Sequence, residues 1–412
     1  MSLIQSFPGW RPQPDLAGLV AAPPYDVLNR TEAAAMAAGN PHSFLHVSKA
    51  EIGLDPDVAL HDERVYQCAL RNFRNMKATG VLVQDSRPCL YLYRLIQGDH
   101  EQTGLVAAIA VDAYLSGRVK KHEHTRPDKE DDRTHFADVL NANSGPVFLV
   151  YQQKETIDRL LQQVTISKPV NDFTTADGVR HTFWMVAEPQ LIQELVVVFD
   201  ALPALYIADG HHRAAAAARV CQARRAKQGD VAGEAPCDRF LGVMFPDDQV
   251  RILEYNRVVR DLWGASPREF LSRVAERFVI QPADQPVKPD QPHSFGMFVA
   301  GTWYRLTCRF EISTLPDPVA RLDVSVLQDH LLEPILGIVN PRLDARIDFV
   351  GGIRGLAGLV ERVQSGEMAV AFSLHPTAMA DLMAVADAGR VMPPKSTWFE
   401  PKLRDGLVIQ EI

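Results

Sequence analysis

The stretch 205–213, with the sequence Leu-Tyr-Ile-Ala-Asp-Gly-His-His-Arg, constrains the fold more than any other part of this chain. Its apolar residues predict a buried strand, Gly210 predicts a tight turn, and the alanine run that follows predicts a helix over 213–228. The first turn of a helix offers unpaired backbone N–H groups and the positive end of the helix dipole. Gly210 has no Cβ, so its backbone can approach a ligand closely.

Three side chains that can carry positive charge follow this turn at once. His211, His212 and Arg213 occupy the end of the helix where the dipole favours acidic residues. A bound anion would remove this conflict, because helix N-termini bind phosphates and carboxylates. The turn therefore predicts an anion site in preference to an empty basic helix start.

Elsewhere the chain mixes helical and strand patterns. Helices are predicted over 31–38 and 56–80, strands over 90–96 and 147–151, and a hairpin over 240–255. This mixture predicts an α+β (mixed α/β) class rather than a purely parallel sheet. Prolines among charged residues at 281–292 mark a break. We therefore expect a core over 1–280 and an α+β region over 281–412 that is either separate or wraps back onto the core.

Composition excludes several classes of protein. The net charge of −8 argues against a general nucleic-acid binder, which needs a basic face. The five cysteines show no C-x-x-C pair, which favours reduced thiols in a cytoplasmic protein over a disulfide framework. No apolar run approaches the ~20 residues of a membrane helix. The N-terminus lacks the basic start and apolar centre of a signal peptide.

A second cationic segment, 118–135, follows an apolar strand, where scaffolds often carry site loops. If 118–125 is extended, Lys120, His122 and His124 share one face, while Lys121 and Glu123 lie on the other. A solvated charge run explains the pattern equally well.

The His122-x-His124 pair also allows a zinc site together with His211 and His212. We rank this below phosphate binding, because the flanking cations would repel a divalent ion unless carboxylates intervened.

Two proline-bounded segments complete the set of candidates. Asp26, after Pro23 and Pro24, is either a base or Mg²⁺ ligand or only part of a rigid turn that caps the next helix. The tail at 395–397 reads Lys-Ser-Thr but lacks the glycines of a P-loop. This tail either binds a phosphate or belongs to a strand that packs Trp398 and Phe399.

These segments together resemble the family known as domain of unknown function 1015. The resemblance rests on Pro-Pro-Tyr-Asp at 23–26, Lys-His-Glu-His-Thr at 121–125 with Asp132 and Arg133, Ala-Asp-Gly-His-His-Arg at 208–213, and Met-Pro-Pro-Lys-Ser-Thr at 392–397. The resemblance spans nearly the whole chain but implies little about the biochemical activity of the protein.

The Asp-Gly-His-His-Arg turn at 209–213 is similar to the phosphate-binding turn of the ParB, sulfiredoxin and free serine kinase superfamily. That resemblance implies a compact ParB/sulfiredoxin-like core that binds ADP, ATP or CTP with Mg²⁺, and it points weakly to serine or phosphoserine. Sulfiredoxin chemistry is disfavoured, since it needs a cysteine where this chain has His211.

We therefore predict a cytoplasmic phosphotransferase that uses ATP or ADP with Mg²⁺ on a small hydroxylated, serine-like molecule. Its predicted catalytic residues are Asp209, Glu123 and His124, and its predicted Mg²⁺ ligands are Asp209 and Asp26. The predicted phosphate- or nucleotide-binding residues are Gly210, His211, His212, Arg213, Lys120, Lys121, His122, Arg133, Lys395, Ser396 and Thr397.

Two alternatives stay open: a nucleotide-binding switch or adaptor without metabolic chemistry, and a histidine-based metallohydrolase. The sequence leaves the oligomeric state open.

Overall fold

A computed structural model describes residues 1–228, 235–312 and 314–412, with the side chain of Gln228 left out. The chain divides into two compact units, Met1–Val250 with Pro401–Ile412, and Arg251–Glu400. The division falls earlier than the predicted boundary at 280/281, because the strand Tyr255–Val259 pairs within the sheet of the second unit. The chain returns to the first unit for its last residues.

The first unit contains most of the strands and the longest helices. Its strands are Ile4–Gln5 (β1), Trp10–Pro12 (β2), Leu82–Gln84 (β3), Leu90–Gln97 (β4), His100–Ala110 (β5), Val119–Lys120 (β6), Ala142–Asn143 (β7), Val147–Tyr151 (β8), Asn171–Thr174 (β9), Arg180–Val186 (β10), Leu205–Asp209 (β11) and Arg239–Pro246 (β12). Its helices are Ala17–Val20 (α1), Arg30–Ala37 (α2), Leu45–Ser48 (α3), Glu63–Ala78 (α4), Val111–Leu115 (α5), Pro127–Leu140 (α6), Glu155–Thr165 (α7), Pro189–Asp200 (α8) and His211–Gln228 (α9).

A nine-stranded mixed sheet organises this unit, in the order β6-β11-β8-β12-β5-β4-β10-β9, with β1 added beside β5. Strand β11 runs parallel to β6 and antiparallel to β8, and β8 runs parallel to β12. Every residue of β8 and β12 is buried, as expected for central strands that are covered on both faces. The confirmed class is therefore mixed α/β, and β11 delivers its last residue, Asp209, beside the start of β8.

Helix α9 fits closely on the sheet because its first half is made of small residues. The alanines at 214–218 are all buried, and four of them join the main apolar cluster with Leu149 and Ile207. Small side chains let a helix lie close to its neighbours, so α9 holds its first turn in a fixed place. On another side α9 contacts α6.

The predicted helices form with shifted starts, and the predicted hairpin is wrong. Helix α2 begins at an N-cap, Asn29, whose Oδ1 accepts from the Glu32 amide at 3.0 Å, so Asp26 is not the cap. Helix α4 starts later than predicted, after the N-cap Asp62. The hairpin over 240–255 does not form, because β12 pairs with β5 and β8 instead.

The second unit is built on a six-stranded sheet in the order β15-β17-β16-β19-β14-β18. Its strands are Arg251–Leu253 (β13), Tyr255–Val259 (β14), Phe278–Ala283 (β15), Ser294–Val299 (β16), Thr302–Cys308 (β17), Ile347–Gly351 (β18), Val370–Leu374 (β19) and Trp398–Glu400 (β20). Its helices are Pro267–Arg277 (α10), Asp323–Leu327 (α11), Glu333–Leu336 (α12), Gly355–Gln364 (α13) and Met379–Asp387 (α14). Strand β13 pairs with β20, which ends the second unit. The last strand, Gln410–Glu411 (β21), belongs to the first unit and pairs there with β7.

Within the described residues, no helix combines the length and the apolar character needed to cross a membrane.

Candidate functional site

The predicted turn between β11 and α9 forms at the junction of strand and helix. Gly210 has φ +92°, a conformation that favours glycine, and a Cβ on it would make an ordinary contact with the Cα of Val147 at 3.4 Å. The Gly210 carbonyl accepts from the amides of Arg213 and Ala214 at 2.9 and 3.1 Å. The Gly210 amide donates to Asp209 Oδ1 at 2.8 Å. The amides that the helix start offers to an anion are therefore those of His211 and His212 rather than Gly210.

Asp209 is engaged by a lysine that the sequence analysis did not select. Lys402 donates to Asp209 Oδ2 at 3.0 Å, so both carboxylate oxygens already accept a hydrogen bond. Burial opposes ionisation of Asp209, but the charges of Lys402 and Arg213 outweigh it and hold its pKa below the usual range. A carboxylate with a lowered pKa is a weak proton acceptor. Asp209 is thus placed to position Lys402 and is a poor base, and its role as an Mg²⁺ ligand stays a prediction.

Arg213 is partly buried, and its buried Nε–H has no partner in the described structure. Its Nη1 donates to the carbonyl of Pro146 and lies 3.9 Å from Asp405 Oδ1. Burial lowers the pKa of Arg213, but Asp405 and Asp26 outweigh that effect and raise it. An unsatisfied buried donor on a charged group costs several kcal/mol in general, roughly 1–3 or more. An anionic ligand would satisfy it.

Asp405 is the second residue at this site that the sequence analysis missed. Burial raises its pKa to about 6, against the opposing charge of Arg213, and Asp26 adds to the rise. Its Oδ1 is buried without a hydrogen-bond partner in the described structure. The carboxyl therefore changes its charge close to neutral pH, directly beside Arg213.

A small cavity of about 40 Å³ lies along this side of α9. Tyr25, Arg133, Ser144, Arg213 and Asp405 are among the residues that line it. The Arg133 guanidinium stacks over the Tyr25 ring at 4.1 Å, and burial raises the pKa of Tyr25 to about 12. The fold thus brings two predicted residues, Arg133 and Arg213, to one cavity. Arg133 also pairs with Asp132 at 2.6 Å, which neutralises part of its charge.

The two buried histidines of this region, His122 and His211, lie against each other. The rings of His122 and His211 are 4.5 Å apart and perpendicular, and His211 Nδ1 is 3.9 Å from Glu123 Oε2. Burial lowers the pKa of His122 to about 4, and it lowers the pKa of His211 well below the usual value. Both rings are therefore neutral at pH 7, so they do not supply the positive charge that was predicted for them.

His212 faces the loop before α6. Its Nε2 accepts from the backbone amide of Arg126 at 3.0 Å, so Nε2 carries no proton and the ring proton is on Nδ1. Burial lowers the pKa of His212, although Asp26 and Glu130 oppose the shift. His212 can donate one hydrogen bond to a ligand as a neutral group.

The segment 118–125 is not one extended strand. Only Val119–Lys120 pairs with β11, and beyond it His122 is buried while His124, Lys121 and Glu123 are exposed. The predicted shared face of Lys120, His122 and His124 is therefore wrong. Lys120 stacks at 5.9 Å from the ring of Tyr206, and Lys121 at 4.4 Å from the ring of Tyr114.

The remaining candidates are placed as follows. Asp26 is exposed, and its charge shifts the pKa values of His212, Arg213 and Asp405. Residues 395–397 belong to the second unit, where Ser396 Oγ donates to the carbonyl of Pro393 at 2.7 Å. Strand β20 follows these residues. It is the strand that the second of the two alternatives for this tail predicts, with Trp398 and Phe399 packed in it. A role for Lys395, Ser396 and Thr397 at a phosphate stays a prediction.

Comparison with solved structures yields distant similarities only. A free serine kinase in complex with AMP is 13% identical over 73% of this chain and 91% of that chain, with a TM-score of 0.35. C-terminally truncated SbnI from Staphylococcus aureus is 11% identical over 73% of this chain and 85% of its own, with a TM-score of 0.38. A conserved hypothetical protein from Pyrococcus furiosus is 14% identical over 73% and 93%, with a TM-score of 0.34. At these low TM-scores the similarity by itself establishes neither a shared fold nor a shared function.

No curated protein matches the chain. One family model does match, and it spans residues 4–325, which include the Tyr25, Lys121 and Asp209 motifs but not the tail at 395–397. This span is well over half of the 412 residues. The chain therefore belongs to the family described as "Protein of unknown function (DUF1015)".

Proposed function

We propose that this protein is a nucleotide-dependent phosphotransferase that acts on a small hydroxylated metabolite. The observation that carries the proposal is the guanidinium of Arg213, whose buried Nε–H has no partner in the described structure, at the first turn of α9. The free amides of the helix start and the helix dipole favour an anion at the same place. A phosphate satisfies all three, because its oxygens accept several hydrogen bonds at once.

Each residue around the turn contributes a different contact to the phosphate. Arg213 holds the phosphate through its guanidinium, the His211 and His212 amides donate from the helix start, and His212 Nδ1–H adds a neutral donor. Lys402, which is fixed by Asp209, supplies a further cation. The likeness of the Asp-Gly-His-His-Arg turn to superfamily turns that hold nucleotides supports a nucleotide as the source of the phosphate.

Mg²⁺ fits this site through Asp26 better than through Asp209. Mg²⁺ in nucleotide sites is commonly bound by one or two carboxylates together with the substrate phosphates and water. Asp26 is exposed and lies close enough to raise the pKa of Arg213, whereas each oxygen of Asp209 already accepts one hydrogen bond and keeps only its second lone pair for a metal. We therefore propose ATP or ADP with Mg²⁺ as the cofactor, with Asp26 as its protein ligand.

The reaction transfers the terminal phosphoryl group to an acceptor hydroxyl. A new P–O bond forms to the acceptor oxygen, the bond to the bridging oxygen of the nucleotide breaks, and the hydroxyl proton passes to a basic group. Such transfers depend mainly on positioning and on cations that stabilise the transferred charge. Glu123 and His124 are the exposed candidates for the proton. We propose a serine-like acceptor from the resemblance of the turn to that of the free serine kinases.

Calorimetry with ATP and ADP in the presence of Mg²⁺ tests nucleotide binding. We expect Arg213→Ala to abolish measurable binding, since it removes the charged donor at the centre of the site. Arg219→Ala is the matched control, because Arg219 lies on the same helix but is 42% exposed and pairs with Asp131. Equal affinity of the Arg213→Ala variant and the wild type would refute the proposal.

One observation favours a binding protein without chemistry as the second candidate. Asp209, at the centre of the turn, is neutralised by Lys402 and poorly suited to proton transfer. A switch or adaptor predicts nucleotide-dependent self-association with slow hydrolysis. Incubation with ATP or ADP plus serine, followed by mass detection of phosphoserine, separates the two: product supports the enzyme, and binding without any phosphorylated product supports the switch.

We also propose a cytoplasmic location. All five cysteines are unpaired thiols, as is usual in reducing compartments.

A further inference from the structure

We infer that His122, His211 and Glu123 form a binding site for a divalent transition-metal ion such as Zn²⁺. Each of the three offers one ligand atom, and these atoms all lie within 4.8 Å of one another. The inference does not depend on nucleotide binding, because it uses the His211 ring, whereas the proposed phosphate contact uses the His211 backbone amide. It assigns Glu123 to the metal, which leaves His124 as the candidate proton acceptor of the proposed reaction.

Two buried ring nitrogens in this cluster have no hydrogen-bond partner in the described structure. They are Nδ1 of His122 and Nε2 of His211, in side chains that are 2% and 4% exposed. Leaving such polar atoms buried and unsatisfied is unfavourable, so native proteins rarely tolerate it without a reason. A metal ion shared by the two rings would give such nitrogens a partner; the His211 nitrogen that lies 3.9 Å from Glu123 Oε2 is the other one, Nδ1.

The orientation of His122 supports its role as a ligand. His122 makes a hydrogen bond to the backbone of Ile207, and since Nδ1 has no partner, Nε2 is the nitrogen that donates. Metal-bound histidines are generally held in this way, with one nitrogen donating to a carbonyl and the other directed at the metal.

The charges around the cluster allow a cation despite the neighbouring lysines. Lys120 and Lys121 stack on the rings of Tyr206 and Tyr114. The Glu123 carboxylate lies 3.9 Å from His211, and the charge of Asp209 acts on both histidine rings. Carboxylates therefore do intervene, and they oppose the charge of Lys121, which also acts on the His211 ring.

The ligand set and the access path also suit a metal. Two imidazoles and one carboxylate are the three protein ligands of many catalytic zinc sites, with a further position left for water or substrate. Ligand atoms around zinc lie roughly 3–3.5 Å apart, given bond lengths of about 2.0–2.2 Å. Because Glu123 is 50% exposed, its side chain can move the short distance needed and also leaves a route for the ion.

Zinc titration of the chelator-treated full-length protein tests the site. We expect one Zn²⁺ per chain by calorimetry, and Co²⁺ in its place should give visible absorption bands of a low-coordinate site. His122→Ala and Glu123→Gln should each weaken Zn²⁺ binding at least about tenfold, since even outer residues of metal sites change affinity by 10–100-fold. His124→Ala is the matched control, because His124 is exposed and outside the cluster.

The outcomes are distinct. Stoichiometric binding that is lost in both variants and kept in His124→Ala supports the site. No saturable binding by the wild type, or unchanged binding by the Glu123→Gln variant, overturns it; this exposed substitution also keeps the test valid if His122→Ala misfolds. Loss of nucleotide binding alone, with Zn²⁺ binding intact, would count against the proposed function and not against the metal site.

Discussion

Arg213 in the first unit is partly buried and Arg257 in the second is buried, and the surroundings of the two arginines differ. Asp405, Asp26 and Asp209 surround Arg213 and raise its pKa despite burial. Arg257 has no carboxylate among the influences on its charge, and burial lowers its pKa to about 9. It donates to the carbonyls of Tyr255 and Pro394 and stacks 4.8 Å from the ring of Phe349.

This difference separates a binding arginine from a structural one. The Arg257 guanidinium is satisfied by two backbone carbonyls and an aromatic ring, all within its own unit. Arg213 combines strong negative surroundings with a buried Nε–H that no described group accepts. Both arginines are charged at neutral pH, so the donor without a partner is what prepares the Arg213 site for an anion.

The largest effect that we expect in this comparison is on nucleotide affinity. Arg213→Met should weaken ATP or ADP binding by on the order of 100-fold, because charge-assisted hydrogen bonds contribute roughly 1.5–3 kcal/mol. Arg257→Met should leave the affinity unchanged, since Arg257 takes no part in the proposed site. Calorimetry on both variants measures the nucleotide affinity. An equal loss of affinity in both would contradict the assignment of Arg213 as a binding arginine and Arg257 as a structural one.

The second effect concerns pH. The pKa of Asp405 is raised to about 6 in the folded protein, so its protonated form favours folding below the unfolded pKa, and this contribution is lost as pH rises through 6. The loss between pH 4 and 7 is about 3 kcal/mol at most, from a shift of roughly two units. Arg257 contributes no change in this range, because it stays charged until its pKa near 9.

Thermal denaturation of wild type and Asp405→Asn at pH 4.5 and 7.5 measures the contribution of Asp405. The difference in stability, wild type minus variant, should fall as pH rises. A constant or rising difference would show that the carboxyl is not buried as described.

The smallest expected effect is a difference in the free energy of unfolding between variants of two lysines, Lys402 and Lys395. Lys402→Met should destabilise the protein by roughly 1 kcal/mol, because it leaves the Asp209 carboxylate part-buried without its charge partner. Lys395→Met should change stability by less than about 0.5 kcal/mol, since Lys395 is exposed and stacks only loosely, 5.4 Å from the ring of Tyr255. Urea denaturation of both variants gives the two values, and a larger loss for Lys395→Met would reverse the assignment.

Local sequence patterns predicted those parts of the fold that depend on neighbouring residues. The strand–glycine–helix turn at 205–213 was predictable because apolar periodicity, a glycine with positive φ and an alanine run are all local signals. The helix over 31–38 was predictable for the same reason, although its cap is Asn29 and not Asp26. The hairpin over 240–255 was not, because the pairing of β12 with β5 and β8 depends on residues more than 90 positions away along the chain.

The site shows the same division. The sequence by itself determined that Gly210 and Arg213 lie at a helix start suited to an anion. Only the tertiary structure brought Lys402 to Asp209 and Asp405 to Arg213, since the last residues of the chain return to the first unit. It also decided that His122 and His211 are neutral partners rather than cations, because their charge depends on burial by residues distant in sequence.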